Sequence, residues 1–408
     1  MVADLLDMLE TMAQSGTAPE SGCQLFSVGN DEALARLKHT YLSSQFGRGK
    51  SAEKFVIGPF GSGKTHFLRQ LFEIAEDCNC CFAEVHLNKD VDFTQRLIVY
   101  REIARAIRVP NSSERGIKNL LIASLSKVRE MLGGADDEEP LKAWIDAIDQ
   151  LNFQDSRYAR QLKRALKALL AEDAVLADEV CRWLEGDVKD KALCKLLGEP
   201  AITSAEENLF ANRAMFTLFQ FIKHAMYAGT VVGFDEAEQG FAVDKKKFAK
   251  ILSMLQASIN AISDLKGGSA LILYALTPDL VAEMHKFAAL QQRVADPSPN
   301  DGFFDGNTWA PKIDLSQRGA GEEDLKQIGA KLVELFFDHL PSSVTVTKEQ
   351  MTTEVYAMAA DVVVNNAGAG NRRAMTKRVC SKLLQVYEQA SGEQIVRQPV
   401  SAFAEPEV

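Results

Sequence analysis

The sequence lacks the features that mark membrane, secreted and disulfide-rich proteins. No apolar run approaches the roughly 18 residues that a membrane span needs, and the first residues are acidic where a secretory signal would be basic. The seven cysteines are an odd number without two pairs at zinc-site spacing. We therefore expect a cytoplasmic protein without a membrane contact. Its thiols are expected to be free and buried, with a metal site at Cys78–Cys81 as the alternative.

Basic residues are fewer than acidic residues. The chain has 46 Lys and Arg and 56 Asp and Glu, which gives a formal net charge of -10. Nucleic-acid binding depends on clustered Lys and Arg, so this balance disfavours a chain that coats DNA by itself. Any DNA contact has to be local or shared with partners. The 408 residues, 46% apolar and 25% charged, suit one large globular domain or two to three smaller ones.

A glycine-rich stretch, GPFGSGKT, follows the apolar run Lys54–Ile57 and leads into a helical pattern. It matches G-x-x-x-x-G-K-[ST] in the strand, loop and helix context that this motif requires. Its glycines let backbone N–H groups point at phosphate oxygens, and the following helix adds the positive end of its dipole. The predicted nucleotide-binding residues are Gly58, Pro59, Phe60, Gly61, Ser62, Gly63, Lys64, Thr65 and His66.

Two carboxylates later in the chain complete a predicted ATP and Mg²⁺ site. The β-rich run Thr230–Phe234 ends in Asp235 and Glu236, a pattern in which one carboxylate supports Mg²⁺ and the next orients or deprotonates water. Lys64 is expected to reach the β- and γ-phosphates, and the Thr65 hydroxyl to bind Mg²⁺ together with Asp235. The alternative role of the acidic pair is to cap a helix.

A second apolar strand pattern, Ser269–Leu276, ends at Thr277. Ligands of parallel α/β sheets bind at the carboxyl ends of the strands, so we predict that Thr277 senses the γ-phosphate. Its other expected role, compatible with the first, is to cap the helix that begins at Pro278.

These motifs resemble the AAA+ ATPases, and within them the branch of the origin-recognition initiators and of the BREX phage-defence ATP-binding proteins, BrxC and BrxD. Three stretches carry the resemblance: the loop variant GPFGSGKTHFL with Phe60 and His66, the segment Gly29–Leu37, and the segment Leu97–Ile103. The resemblance covers about residues 25–390 apart from the middle. It implies a Mg²⁺-dependent ATPase with an α/β P-loop fold, a parallel sheet sandwiched by helices, and a helical lid after the sheet.

The resulting domain prediction is an N-terminal helical segment at residues 1–24, an ATPase core at 25–316 with a helical insertion at 112–205, a lid at 317–390 and a flexible tail at 391–408.

The resemblance also implies arginines that act on the γ-phosphate. Arg372 and Arg373 stand near the start of the third predicted lid helix, at the position where this family carries a sensor arginine, and Arg372 is slightly favoured. Arg293 is the predicted arginine finger for a neighbouring subunit, and Arg318 is the alternative. Surface charge is the competing interpretation for these arginines. A finger that acts in trans implies an ATP-dependent homo-oligomer.

Two basic clusters are candidate contacts for DNA or an acidic partner, with a solvated surface as the alternative. They are Lys245–Lys247 and the residues Arg157, Arg160, Lys163, Arg164 and Lys167. No helix-turn-helix or winged-helix pattern follows the lid, which weakens a role in replication initiation. We predict an ATP-hydrolysing switch or motor that acts with other subunits of a DNA-associated defence complex. The alternative is a nucleotide-dependent scaffold, or a clamp-loader-like or initiator-like DNA-binding protein, with little turnover.

Overall fold

The computed structural model describes residues 2–86, 93–133, 138–237, 245–287, 291, 295, 301–316, 321–339, 346–365 and 370–391. The chain divides into two compact units. The larger unit, Gly29–Arg318, contains the sheet and the glycine-rich loop. The smaller unit combines Met1–Val28 with Gly319–Val408. None of the described helices is both long enough and apolar enough to cross a bilayer.

The larger unit is built on a six-stranded sheet with the order β3-β2-β4-β5-β1-β6. The strands are β1 (Ala52–Ile57), β2 (Cys81–His86), β3 (Ile107–Arg108), β4 (Thr230–Asp235), β5 (Ala270–Leu276) and β6 (Lys312–Asp314). All neighbouring strands pair in parallel except β2 and β3, which pair antiparallel at the sheet edge. The predicted α/β class and its parallel sheet are thus confirmed, with β3 as one antiparallel addition. Because β1, β2, β4 and β5 run in one direction, their carboxyl ends meet at one edge.

Fifteen α-helices are present in the described residues. They are α1 (Val2–Ser15), α2 (Asp31–Leu37), α3 (Lys64–Asp77), α4 (Arg96–Ala106), α5 (Ile117–Met131), α6 (Glu139–Asp146), α7 (Ser156–Leu170), α8 (Ala174–Leu184), α9 (Lys191–Leu197), α10 (Glu207–His224), α11 (Lys245–Ser263), α12 (Pro278–Met284), α13 (Glu322–His339), α14 (Lys348–Asn365) and α15 (Asn371–Ser391). A π-helical segment, Lys38–Gln45, continues α2.

Both faces of the sheet are covered, so consecutive strand residues enter different cores. On β1, Val56 packs in a cluster that includes Tyr41 of the π-helical segment and Leu71 of α3. Its neighbour Phe55 lies in the cluster on the other face, which includes Tyr100 of α4 and residues of α10 and α11. β4 and β5 are buried along their whole length, which explains their continuous apolar sequence.

Five helices, α5 to α9, lie between β3 and α10, in the region of the predicted helical insertion. Their apolar faces pack around Tyr158, Leu162 and Trp183, which are fully buried. Asp155 begins α7 as its N-cap and accepts hydrogen bonds from two backbone N–H groups of the first turn. The insertion therefore has an apolar core that is continuous with one face of the sheet.

The described part of the smaller unit contains α1, a short 3-10 helix at Cys23–Phe26, and the helices α13, α14 and α15. Leu9 and Met12 of α1 share a buried cluster with Leu332 of α13, Val355 of α14 and Val379 of α15. The helices α13, α14 and α15 lie in or end next to the predicted lid segment, residues 317–390, and α1 belongs to the same core. The role of this segment as a lid stays a prediction.

All seven cysteines lie in the described part of the chain and carry free thiols. Cys80 and Cys81 are buried, and Cys78 is half-buried. Burial raises the pKa of the Cys80 thiol to about 12, so this group stays protonated at neutral pH. Two of the three thiols of this cluster are therefore buried, and the third is half-buried.

Candidate functional site

The glycine-rich loop runs from the end of β1 to the first turn of α3. The Gly58 N–H donates a hydrogen bond to the Leu276 carbonyl of β5 (3.1 Å), which anchors the start of the loop. Gly61 and Gly63 have φ angles of 76° and 93°, in the left-handed region that glycine tolerates. Gly63 is the N-cap of α3, whose first N–H groups have no partner within the helix. The loop and the helix end together suit an anionic phosphate group.

Lys64 folds back over this loop. Its Nζ donates to the carbonyl oxygens of Gly58 (2.8 Å) and Pro59 (3.3 Å). The same Nζ lies 5.4 Å from the centroid of the Phe60 ring, which is 68% exposed. The ammonium group is therefore held inside the loop, where it would meet an anionic ligand.

Thr65 and Asp235, the two predicted Mg²⁺ ligands, lie together. The Thr65 hydroxyl donates to Asp235 Oδ2 (2.7 Å), and the Glu236 N–H donates to Asp235 Oδ1 (3.0 Å). Asp235 is only 2% exposed, so these bonds fix its orientation. A carboxylate and a hydroxyl offer the oxygen ligands that Mg²⁺ prefers, and this pair therefore fits that ion.

Glu236 has a backbone conformation that is uncommon for a residue other than glycine. Its φ angle is 52°, and its side chain is exposed at the end of β4. Non-glycine residues in the left-handed region are uncommon, and such strain clusters at functional sites. Asp235 is buried and Glu236 is exposed, so the two adjacent carboxylates lie in different surroundings, and their separate roles stay predictions.

Thr277 lies beside the start of the loop, because it follows directly on Leu276, the residue that accepts the Gly58 hydrogen bond. It occupies the N-cap position of α12, with a φ angle of -82° and a ψ angle of 153°, but its side chain makes no capping hydrogen bond. The position at the strand end agrees with both predicted roles, and sensing stays a prediction.

Sequence reasoning missed two polar side chains of β2 at the same edge. In the register of β2 and β4, His86 pairs with Asp235 and Glu84 pairs with Gly233. His86 Nδ1 lies 4.0 Å from Asp235 Oδ2, and His86 Nε2 lies 3.5 Å from Glu84 Oε1. The signal was a Glu and a His spaced two apart in an otherwise apolar strand, which places both on one face.

Arg69 of α3 was missed as well. Its Nε donates to Glu84 Oε1 (2.8 Å), and both side chains are mostly buried. Arg69 stands one helical turn after Thr65, so the two residues contact neighbouring strands from the same side of α3. His66 lies between them in sequence and is half-buried on the first turn. Ser62 is half-buried within the loop.

The two predicted sensor arginines stand on the first turn of α15, in the smaller unit. Arg372 is partly buried, and this burial lowers the pKa of its guanidinium, while the Asp324 carboxylate opposes the shift. Arg373 is exposed, and its Cγ packs against Gly16 so closely that a Cβ there would lie 2.6 Å away. Their predicted contact with a γ-phosphate stays a prediction.

The remaining predicted contacts concern the arginine finger and the Lys245–Lys247 cluster. Arg293 and the alternative finger Arg318 both lie outside the described residues. Lys246 and Lys247 are exposed on the first turn of α11. Finger and DNA contacts at these positions therefore stay predictions.

The basic residues of α7 have partners within the insertion. Lys163 and Lys167 both contact Asp146 of α6 (2.8 Å each), and Arg160 contacts Glu199 (3.1 Å). These ion pairs tie α7 to its neighbours, although each exposed pair contributes little stability. These ion pairs give the basic residues of α7 a structural role. A DNA contact through this face of α7 stays a prediction.

Comparison with known proteins identifies the family. A family model described as BREX system ATP-binding protein BrxC/D matches residues 5–398, nearly the whole chain. No curated protein matches the sequence. The match includes the glycine-rich loop, the acidic end of β4 and the helices of both units. The chain belongs to the BrxC/D family of BREX system ATP-binding proteins.

Proposed function

We propose that this protein binds ATP with Mg²⁺ at the Gly58–Thr65 loop and hydrolyses it, as a switch or motor in a multi-protein BREX phage-defence complex. The observation that carries the proposal is the 2.7 Å hydrogen bond from Thr65 to Asp235. It joins the loop motif to the acidic strand, although the two lie 170 residues apart in sequence. The family description supports the nucleotide and the defence system.

Each residue of the site has a physical task in this proposal. When bound, ATP supplies the phosphoryl group that passes to water, and Mg²⁺ neutralises part of the phosphate charge. Lys64 exchanges its carbonyl partners for phosphate oxygens, and the N-terminus of α3 adds its partial positive charge. Thr65 and Asp235 would hold the ion. Glu236, exposed beyond the strand end, accepts the proton of the attacking water.

Lys64→Ala tests the phosphate site, because it removes the ammonium group that lies inside the loop. Calorimetric titration with ATP and Mg²⁺ should show a nearly complete loss of binding. Lys50→Ala is the matched control, since Lys50 is an exposed lysine of the same unit. Near wild-type affinity of the Lys64 variant would mean that the phosphates bind elsewhere.

Glu236→Gln tests hydrolysis against scaffolding, because it keeps the side-chain shape while removing the proton acceptor. ATP affinity should be retained, and steady-state phosphate release should fall by roughly 100-fold or more. Glu130→Gln, an exposed change in the insertion, is the control. The assay is run on the isolated chain, with DNA and with candidate partner proteins. Equal turnover in wild type and variant would assign the base to another residue, and binding without turnover in all mixtures would favour the scaffold.

A further inference from the structure

We propose that Glu84, His86 and Asp235 form a site for a divalent ion that favours imidazole ligands, such as Co²⁺ or Zn²⁺, and that His86 sets the metal preference of this protein. The inference rests on the proposed function insofar as Asp235 is shared with the Mg²⁺ site. It goes further in naming two new ligands and a different class of ion. It also requires no bound nucleotide.

The backbone of the sheet creates the cluster. Glu84 and His86 are two apart on β2 and therefore project from the same face, and the parallel register sets His86 directly beside Asp235. One ligand atom of each residue lies within 4.8 Å of the other two. Among the described residues, these three side chains are the His, Cys, Asp and Glu groups that lie close enough together to share one ion. An ion among three atoms this close would contact all of them after small side-chain rotations.

The chemistry of the three ligands selects the class of ion. Mg²⁺ prefers oxygen ligands, whereas imidazole suits transition metals, whose affinity rises from Mn²⁺ through Co²⁺ and beyond. A site with one imidazole and two carboxylates therefore discriminates against Mg²⁺ more strongly than a site of oxygen ligands alone. The Thr65 hydroxyl, 2.7 Å from Asp235 Oδ2, is positioned as a further oxygen ligand.

Charge and accessibility favour occupation. The carboxylates of Glu84 and Asp235 outnumber the one guanidinium of Arg69 beside them, and this excess of negative charge attracts a divalent cation. Arg69 holds Glu84 through a 2.8 Å bond and so orients this ligand, as outer partners of metal ligands commonly do. The His86 side chain is 53% exposed, so an ion can reach the cluster from solvent.

The test is a titration of the full chain with Co²⁺ alone, followed by calorimetry and by the visible absorption of the ion. Co²⁺ also reports on its ligands, because nitrogen coordination changes this absorption. Wild type should bind one Co²⁺ per chain at this site. His86→Asn should weaken binding by at least about tenfold and remove the absorption change, because a ligand to the ion is lost. A parallel Mg²⁺ titration should change by less than about threefold, since oxygen ligands remain.

His39→Asn is the matched control, because His39 is an exposed histidine of the same unit. Glu84→Gln provides a second route to the same loss of Co²⁺ affinity, and thermal unfolding verifies that each variant is folded. Wild-type Co²⁺ affinity in His86→Asn would overturn the proposal, as would an equal loss for Co²⁺ and Mg²⁺ or no Co²⁺ bound by wild type. ATP calorimetry on wild type separates the two hypotheses, because absent ATP binding would remove the proposed function and leave the Co²⁺ result standing.

Discussion

Gly233 allows α3 to approach β4 directly behind the candidate site, and replacing it with Ala tests this packing. A Cβ at this position would lie 2.6 Å from Cζ of Phe72 and 3.4 Å from Cδ2 of Leu68. Phe72 is 4% exposed and stacks on Phe82 with a centroid distance of 5.4 Å, so its ring has little space to turn away. The added methyl group must therefore move α3 or distort the strand.

The change in the free energy of unfolding results from two opposing contributions. Overpacking of a filled core costs about 1 to 3 kcal/mol, and the lower entropy of the unfolded chain with Ala returns about 0.4 to 1 kcal/mol. A net destabilisation of about 1 to 2 kcal/mol is expected. The larger unit has roughly 290 residues, and at about 2.1 cal/mol/K of unfolding entropy per residue this destabilisation lowers Tm by roughly 2 to 3 °C. Because α3 also carries Thr65, the shift should lengthen the Thr65–Asp235 hydrogen bond and weaken the proposed ATP binding.

The assay is thermal unfolding followed by circular dichroism, with ATP calorimetry on the same samples. Gly47→Ala is the matched control, since a Cβ there would meet no atom within 4 Å, and its Tm should stay near that of wild type. Phe72→Leu in the Gly233→Ala background should recover part of the loss, because it removes the ring atoms that clash. Equal Tm values for wild type and Gly233→Ala would refute the reasoning.

Two further predictions concern buried carboxylates. Burial raises the pKa of Glu53 to about 8, so the folded chain keeps a proton that the unfolded chain loses above about pH 4.5. Stability should therefore fall as pH rises from 5 to 8, by at most about 4 kcal/mol, and urea unfolding of Glu53→Gln should show a flatter profile; parallel profiles would contradict this. Asp155→Ala removes a buried cap that accepts from the N–H groups of Arg157 and Tyr158 (3.0 Å each), and urea unfolding should show a loss of about 1 to 2 kcal/mol. Asp173→Ala, at an exposed cap with one such bond, should cost less, and a larger loss there would refute the comparison.

The parts of the site that the sequence predicted are those with a local pattern. The loop from Gly58 to Thr65 lies between a strand and a helix, and Asp235 and Thr277 each stand at the end of an apolar run. Such patterns need only the neighbouring residues, because strand, turn and helix preferences act over short distances. Parallel strands then bring their carboxyl ends to one edge, which agrees with the prediction of Thr65 and Asp235 as ligands of one Mg²⁺.

The parts that the sequence did not predict depend on strand order and long-range pairing. Glu84 and His86 lie at the site only because β2 is the neighbour of β4 in the sheet. No local sequence pattern predicts this order of the strands. β3 has two residues and therefore no readable periodicity. The basic spacing of α7 is the same for a nucleic-acid contact and for ion pairs, and only the position of Asp146 on another helix distinguishes them.

Helix α3 connects these features, because one element forms the phosphate end of the site and holds two neighbouring strands. Its residues Thr65 and Arg69, one turn apart, bond to Asp235 at the end of β4 and to Glu84 of β2. Two turns after Thr65, Phe72 packs against Gly233. A ligand at the N-terminus of α3 that shifts this helix must therefore lengthen two buried polar contacts or move both strand ends with it. Either response changes the spacing of Glu84, His86 and Asp235, so the proposed metal site and the glycine-rich loop are linked through a single helix.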